Sequence, residues 1–204
     1  MIRFEEIGEN DKQFGGKAWG LGRLAQAGFP VPPGVVLDHE PDESEWLEIV
    51  KWWKSVGTRP LAVRSSAGAE DSATTSFAGQ NRTFLDVADE RGLKEAIRAC
   101  FQSIHGDNSR AYRRFFSQDE AGRMNVVLQV MVQPKFAGVF FSRDPMNAER
   151  GWLFEVVEGL GEDLVSGQVT PGLQRQNGEK QRLPTAFTAD FAVDVAKCGM
   201  AVRE

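Results

Sequence analysis

Histidine and cysteine occur only twice each in 204 residues. His39 and His105 stand alone, too few imidazoles for a zinc site or a Ser/His/Asp relay, and each reads as a surface or helix-end residue. Cys100 and Cys198 are far apart and outside any CxxC pair, which excludes a disulfide framework or a zinc ribbon; both read as buried thiols. No apolar stretch approaches the ~20 residues of a membrane span, and the opening MIRFEEIGEN lacks the basic-then-apolar order of a signal peptide. The expected setting is cytoplasmic, with no membrane partner. Basic side chains are also in the minority, 24 against 29 acidic for a net charge of −5, so nothing in the bulk charge attracts nucleic acid.

Apolar residues make up 41% of the chain and aromatics 10%. A chain of this size buries roughly 70% of its unfolded surface, so a real core is expected rather than disorder. The patterning predicts helices over 17–27, with Gly28 as a left-handed stop, over 43–56, where Trp46, Ile49, Val50, Trp53 and Val56 fall at helical spacing, and over the run from Leu93 to Ile104. Strands are predicted over 34–37, 60–66 and 82–87, and a small-residue loop over 67–79. A basic and aromatic segment, SRAYRRFF, follows. From Asn125 the texture changes to NVVLQVMV, AGVFFSRD and WLFEVVE, which read as a second sheet. A short helix over 160–166, a hairpin around Asn177-Gly178 and a final helix over 188–203 complete the pattern. Two subdomains are expected, 1–120 and 121–204.

Four segments can carry chemistry. Gly15-Gly16-Lys17 places a glycine pair and an ammonium at a helix mouth, which suits an anion, although Gly-Gly before a helix is also an ordinary turn. It is not a Walker A loop, since Asp11 stands at the first glycine position and Ala18 replaces the hydroxyl. Arg64-Ser65-Ser66 puts a guanidinium on a buried strand, where a phosphate would satisfy it; an internal pair with Glu70 or Asp71 is the alternative. Gln129-Val130-Met131-Val132 ends an apolar strand before Pro134 and could offer backbone groups to an adenine edge, or be a plain core strand. Glu155, Glu158 and Glu162 around Gly159-Leu160-Gly161 could hold Mg²⁺, or be solvated acids near a turn; Leu164 breaks a GxGxxG fingerprint.

The order of these segments is more specific than any one of them. GGKAWGLGRLAQAGFPVPPGVVL, LAVRSSAGAEDSATTSFAGQNRTFLDV, LQVMVQPKFAGVFFSRDP and FEVVEGLGEDLVSGQVTP resemble the N-terminal ATP-grasp nucleotide-binding domain of phosphoenolpyruvate synthase, pyruvate phosphate dikinase and related antibiotic phosphotransferases. The resemblance implies an α+β, ATP-grasp-like fold, with two subdomains of mixed or antiparallel sheets flanking a nucleotide cleft. It implies that Lys17 and Arg64 contact the ATP phosphates as the catalytic pair. Gly15, Gly16, Ser65 and Ser66 would lie at the phosphates, Gln129, Val130, Met131 and Val132 would hold the adenine, and Arg143 would follow the strand that floors the site.

ATP and Mg²⁺ are the implied cofactors. The implied partners are a phosphohistidine carrier and pyruvate or phosphoenolpyruvate domains of a longer parent chain. The implied reaction passes a phosphoryl group from ATP to the carrier histidine; a noncatalytic nucleotide-responsive module is the alternative. Three departures stand out. The segment 38–59 is shorter than in the family, Gly68 and Arg82 replace a usual threonine and glutamate, and the chain stops before an acidic metal-binding strand. The expectation is therefore a C-terminally incomplete domain of unassigned metal ligands, weakly active or inactive by itself.

Overall fold

The computed structural model describes residues 1–67, 82–103, 124–147, 149 and 151–184. The described chain divides into two compact units, Met1–Met131 and Val132–Glu204. The expected loop over 67–79, beyond Ala67, the SRAYRRFF segment, the final helix, His105 and Cys198 fall outside the described residues.

The first unit is built on a five-stranded antiparallel sheet. Its strands are β1 (Ile2–Arg3), β2 (Gly34–Leu37), β3 (Leu61–Ala67), β4 (Thr83–Val87) and β5 (Met124–Val130), in spatial order β1-β2-β5-β3-β4. Side chains alternate across each strand, and the alternation sorts them onto two cores. Val35, Leu37, Leu61, Val63, Val126, Leu128 and Val130 face α2 (Glu43–Ser55) and α3 (Glu90–Gln102). Val36 and Val127 face the other way, into a cluster with Phe4, Ile7, Phe14 and Ala18 under α1 (Gly16–Gln26).

Local chemistry sets the helix ends. Asp42 caps α2 through the Glu45 N–H at 2.9 Å while the Glu45 carboxylate accepts from the Asp42 N–H at 3.0 Å, a reciprocal capping box. Asp89 caps α3 through the Gly92 N–H. Helix α1 stops where expected: Gly28 has φ +79°, its N–H donates to Ala25 C=O, and Phe29 N–H donates to Leu24 C=O. Of the expected α2 face, Trp46, Ile49, Val50 and Trp53 are buried and Val56, just past the helix end, is half-buried; Trp52, which the helical spacing left out, is buried with them.

One assignment changes. Met124–Val130 does not open a second sheet; it is the central strand of the first, paired with β2 on one side and β3 on the other. Its residues match the later strands in composition, but strand partners are chosen by register rather than by texture. The second unit is a four-stranded antiparallel meander, β6 (Phe136–Phe141), β7 (Leu153–Glu158), β8 (Gly172–Arg175) and β9 (Lys180–Gln181), with the single-turn helix α4 (Glu162–Val165). Trp152, Phe154 and Val156 form its core, with Phe136, Phe140 and Leu183 packed against them.

At Gly34 the sheet of the first unit packs closely on its second core. A Cβ there would run into the Phe4 ring and come within 2.8 Å of the Leu128 carbonyl oxygen. Gly34→Ala is therefore expected to lower stability by about 1–3 kcal/mol, as overpacking does, with the urea midpoint as the readout.

Candidate functional site

Strand β3 carries two sets of expected site residues and presents them to opposite faces. Arg64 pairs in register with Val127 and Thr83, and Ser66 with Asn125. Val127 belongs to the core beneath α1, so Arg64 and Ser66 share the α1 face. Gln129, opposite Ala62 and Gly34, lies on that face too. The structure thus brings Gly15, Gly16, Lys17, Arg64, Ser66 and Gln129 to one side of the sheet. Ser65 and Val130 lie on the other side, among the residues packed on α2 and α3.

The mouth of α1 rests on backbone geometry that only glycine adopts easily. Gly15 has φ +84° and ψ 159° and precedes the first helical residue. With no side chain it cannot cap the helix, and the capping oxygen comes from Ser66, whose Oγ accepts from Ala18 N–H at 3.4 Å and donates to Phe14 C=O at 3.0 Å. Trp19 N–H returns to Gly15 C=O. The Gly16 N–H forms no hydrogen bond among the described residues. Lys17, half-buried, follows it.

Arg64 is half-buried, and its Nε is shielded from solvent without a hydrogen-bond partner among the described residues. An unmet buried donor costs about 1–3 kcal/mol, and an anionic oxygen placed against it would remove that cost. The alternative partners Glu70 and Asp71 fall outside the described residues.

The two serines beside Arg64 were expected over the phosphates, and the structure gives each an internal partner. Both are fully buried. Ser65 clasps Arg82, accepting from its N–H at 3.0 Å and donating to its C=O, while Ser65 N–H also donates to that carbonyl at 2.9 Å. Cys100 Sγ approaches the same carbonyl, and burial pushes its thiol up to about 11, which removes it as a nucleophile.

At the expected adenine hinge, Val130 N–H donates to Pro33 C=O and Met131 N–H to Pro60 C=O. Gln129 donates from Nε2 to Pro32 C=O at 3.4 Å. Val132 is 54% exposed.

Arg143 is exposed in the turn after β6 of the second unit. Its neighbour Asp144 is buried, accepts from Arg175 Nε at 2.7 Å and from Met146 N–H at 2.9 Å, and so fixes that turn; Arg175 also reaches Glu179 at 3.0 Å. The Arg175 hydrogen bond holds the Asp144 carboxyl below its ordinary range, and the Met146 amide adds to this. Of the metal candidates, Glu155 and Glu158 are three apart on β7 and point to opposite faces. Among the described residues no cluster of three or more His, Cys, Asp or Glu could hold a metal ion. His39 is committed elsewhere: its ring nitrogens bond Asp38 at 2.8 Å and Glu45 at 2.7 Å, and those bonds raise its pKa, Glu45 first.

Asn125 was not among the expected site residues. It is 1% exposed, and its Nδ2 donates to Gln13 C=O at 2.9 Å and Ser66 C=O at 3.3 Å. The signal was present as the one polar residue opening NVVLQVMV.

Comparison with known proteins adds the family. Residues 46–191 match the model described as pyruvate phosphate dikinase, AMP/ATP-binding domain. The phosphoenolpyruvate synthase of Aeropyrum pernix is 32% identical over 211 residues, covering 77% of this chain and 26% of that protein. The rifampicin phosphotransferase of Streptomyces sviceus is 43% identical over 112 residues, 54% of this chain and 13% of that protein. Among solved structures, the D-alanyl-alanine synthetase A of Vibrio cholerae aligns with 95% of this chain and 49% of its own at a TM-score of 0.46 and 11% identity. The chain spans about a quarter of the length of the Aeropyrum synthase.

The Asp144–Arg175 pair predicts a pH dependence confined to the second unit. Because the folded carboxyl is depressed, its stabilisation is complete above the ordinary aspartate value of 3.8 and is lost as pH falls through the lower folded value. Hydrogen exchange of β6 to β8 should accelerate in that acid window, and Asp144→Asn should flatten the acceleration while raising exchange at neutral pH.

Proposed function

The chain belongs to the pyruvate phosphate dikinase AMP/ATP-binding domain family, and from that premise we propose that it binds the triphosphate of ATP through Lys17 and Arg64 as the nucleotide-binding domain of a phosphotransferase. The observation that carries this reading is the Arg64 guanidinium, whose buried Nε lacks a partner among the described residues and lies on the sheet face that α1 covers. Gly15 and Gly16 would let the backbone approach a phosphate closely, with the Gly16 N–H and the helix dipole facing it. Lysine and arginine together would offset negative charge as it shifts between phosphoryl oxygens, the main requirement of phosphoryl transfer. The adenine would lie against the end of β5, at Gln129 to Met131 and the exposed Val132.

In the proposed reaction the β-phosphoryl of ATP ends on a carrier histidine. AMP and inorganic phosphate leave, and water supplies the oxygen and protons needed to release the γ-phosphate. The histidine would pass the group to pyruvate or another small acceptor. His39 is not proposed as that carrier, because both of its ring nitrogens are already engaged with carboxylates. Magnesium would enter as the counter-ion of the triphosphate.

Calorimetric titration of the 204-residue chain with ATP and magnesium tests the reading. Binding is expected, and Lys17→Ala and Arg64→Ala should each weaken it by about 10-fold or more, since hydrogen bonds to charged groups contribute about 1.5–3 kcal/mol. Little AMP should form without an added carrier. Absence of heat at millimolar ATP, or two variants that bind as the parent does, would overturn it.

A further inference from the structure

Resting on the nucleotide reading above, we propose that Ser66 and Asn125 are positioning residues that set the Lys17-bearing mouth of α1 against the strand carrying Arg64. The two cations come from elements far apart in sequence, and like charges do not hold one another in place. Beside the apolar cluster beneath α1, a set of neutral hydrogen bonds joins their supports. Asn125 Nδ2 binds Gln13 C=O and Ser66 C=O, while Ser66 Oγ binds Phe14 C=O and Ala18 N–H. The bonded groups of the loop and helix bracket Gly15, Gly16 and Lys17 on both sides.

Ser66 lies two residues beyond Arg64 on the same face of β3, and Asn125 is its cross-strand neighbour on β5. Ser66 and Asn125 are 0% and 1% exposed, so the bonds form away from competing water. Gly15 deprives α1 of a local cap, and the distant serine supplies one from the sheet. The pair therefore preorganises the anion site, so that less ordering remains when nucleotide arrives.

The test is a double-mutant cycle on the 204-residue chain, titrated with ATP and, separately, with adenosine. Asn125→Ala is expected to weaken ATP binding about 3- to 10-fold while leaving adenosine within about twofold, and in a Lys17→Ala background the same change should fall below about twofold. Faster amide exchange at Gly16 to Trp19, with β2–β5 protection retained, is expected alongside. Ser66→Ala provides the same cycle should Asn125→Ala not fold. If the parent chain fails to bind ATP, the nucleotide reading falls and the proposal with it. If the parent binds ATP but the Asn125 and Lys17 effects are additive, or adenosine loses as much as ATP, the nucleotide reading stands and the pair is overturned as a positioning device.

Discussion

Helix α1 begins on two glycines, neither of which can cap it, and the missing oxygen is supplied by Ser66, 48 residues beyond the Ala18 amide that it accepts from. This bond ties the first turn of α1 to the sheet of the first unit, because a helix mouth without a local cap is otherwise left unfastened. A cap from within the local sequence would place a side chain over the first turn. A cap from the neighbouring sheet leaves the turn accessible and fixes it to a rigid element. Asn125 strengthens the arrangement from the adjacent strand by holding Gln13 C=O and Ser66 C=O together.

The same strand separates the candidate binding residues from the framework through simple alternation. Leu61, Val63 and Ser65 turn toward α2 and α3, where Ser65 fastens Arg82 and the apolar pair joins the larger core. Arg64 and Ser66 turn toward α1. A one-residue slip of β3 against β5 would exchange the two sets, burying a guanidinium among leucines and isoleucines, so the apolar face enforces the register on which the polar face relies. The second unit uses a different device: its turn at Arg143 is held by a carboxylate and guanidinium, Asp144 and Arg175, satisfied by each other and by neighbouring groups.

The helices and most strands were readable because their causes are local. Apolar spacing, the Asp42 and Asp89 caps and the Gly28 stop each act within a few residues, and the bounds of β2 and the start of α2 coincide with the structure. The place of Met124–Val130 was not readable. Its composition resembles that of the strands after it, whereas its partners are β2 and β3, which precede it by many residues. Likewise, Ser65 and Ser66 look equivalent in sequence and face opposite ways, and Asn125 gives no sign of its partner, Gln13, 112 positions away.

The sequence alone thus determined most of the elements and the resemblance to a nucleotide-binding family, and singled out Lys17 and Arg64 as candidates, since these rest on short-range periodicity and on ordered motifs. Only the tertiary structure decided which face each cation takes, which hydroxyls are consumed internally and what caps α1. Those outcomes follow from strand register and long-range hydrogen bonds, whose partners no local pattern of residues specifies.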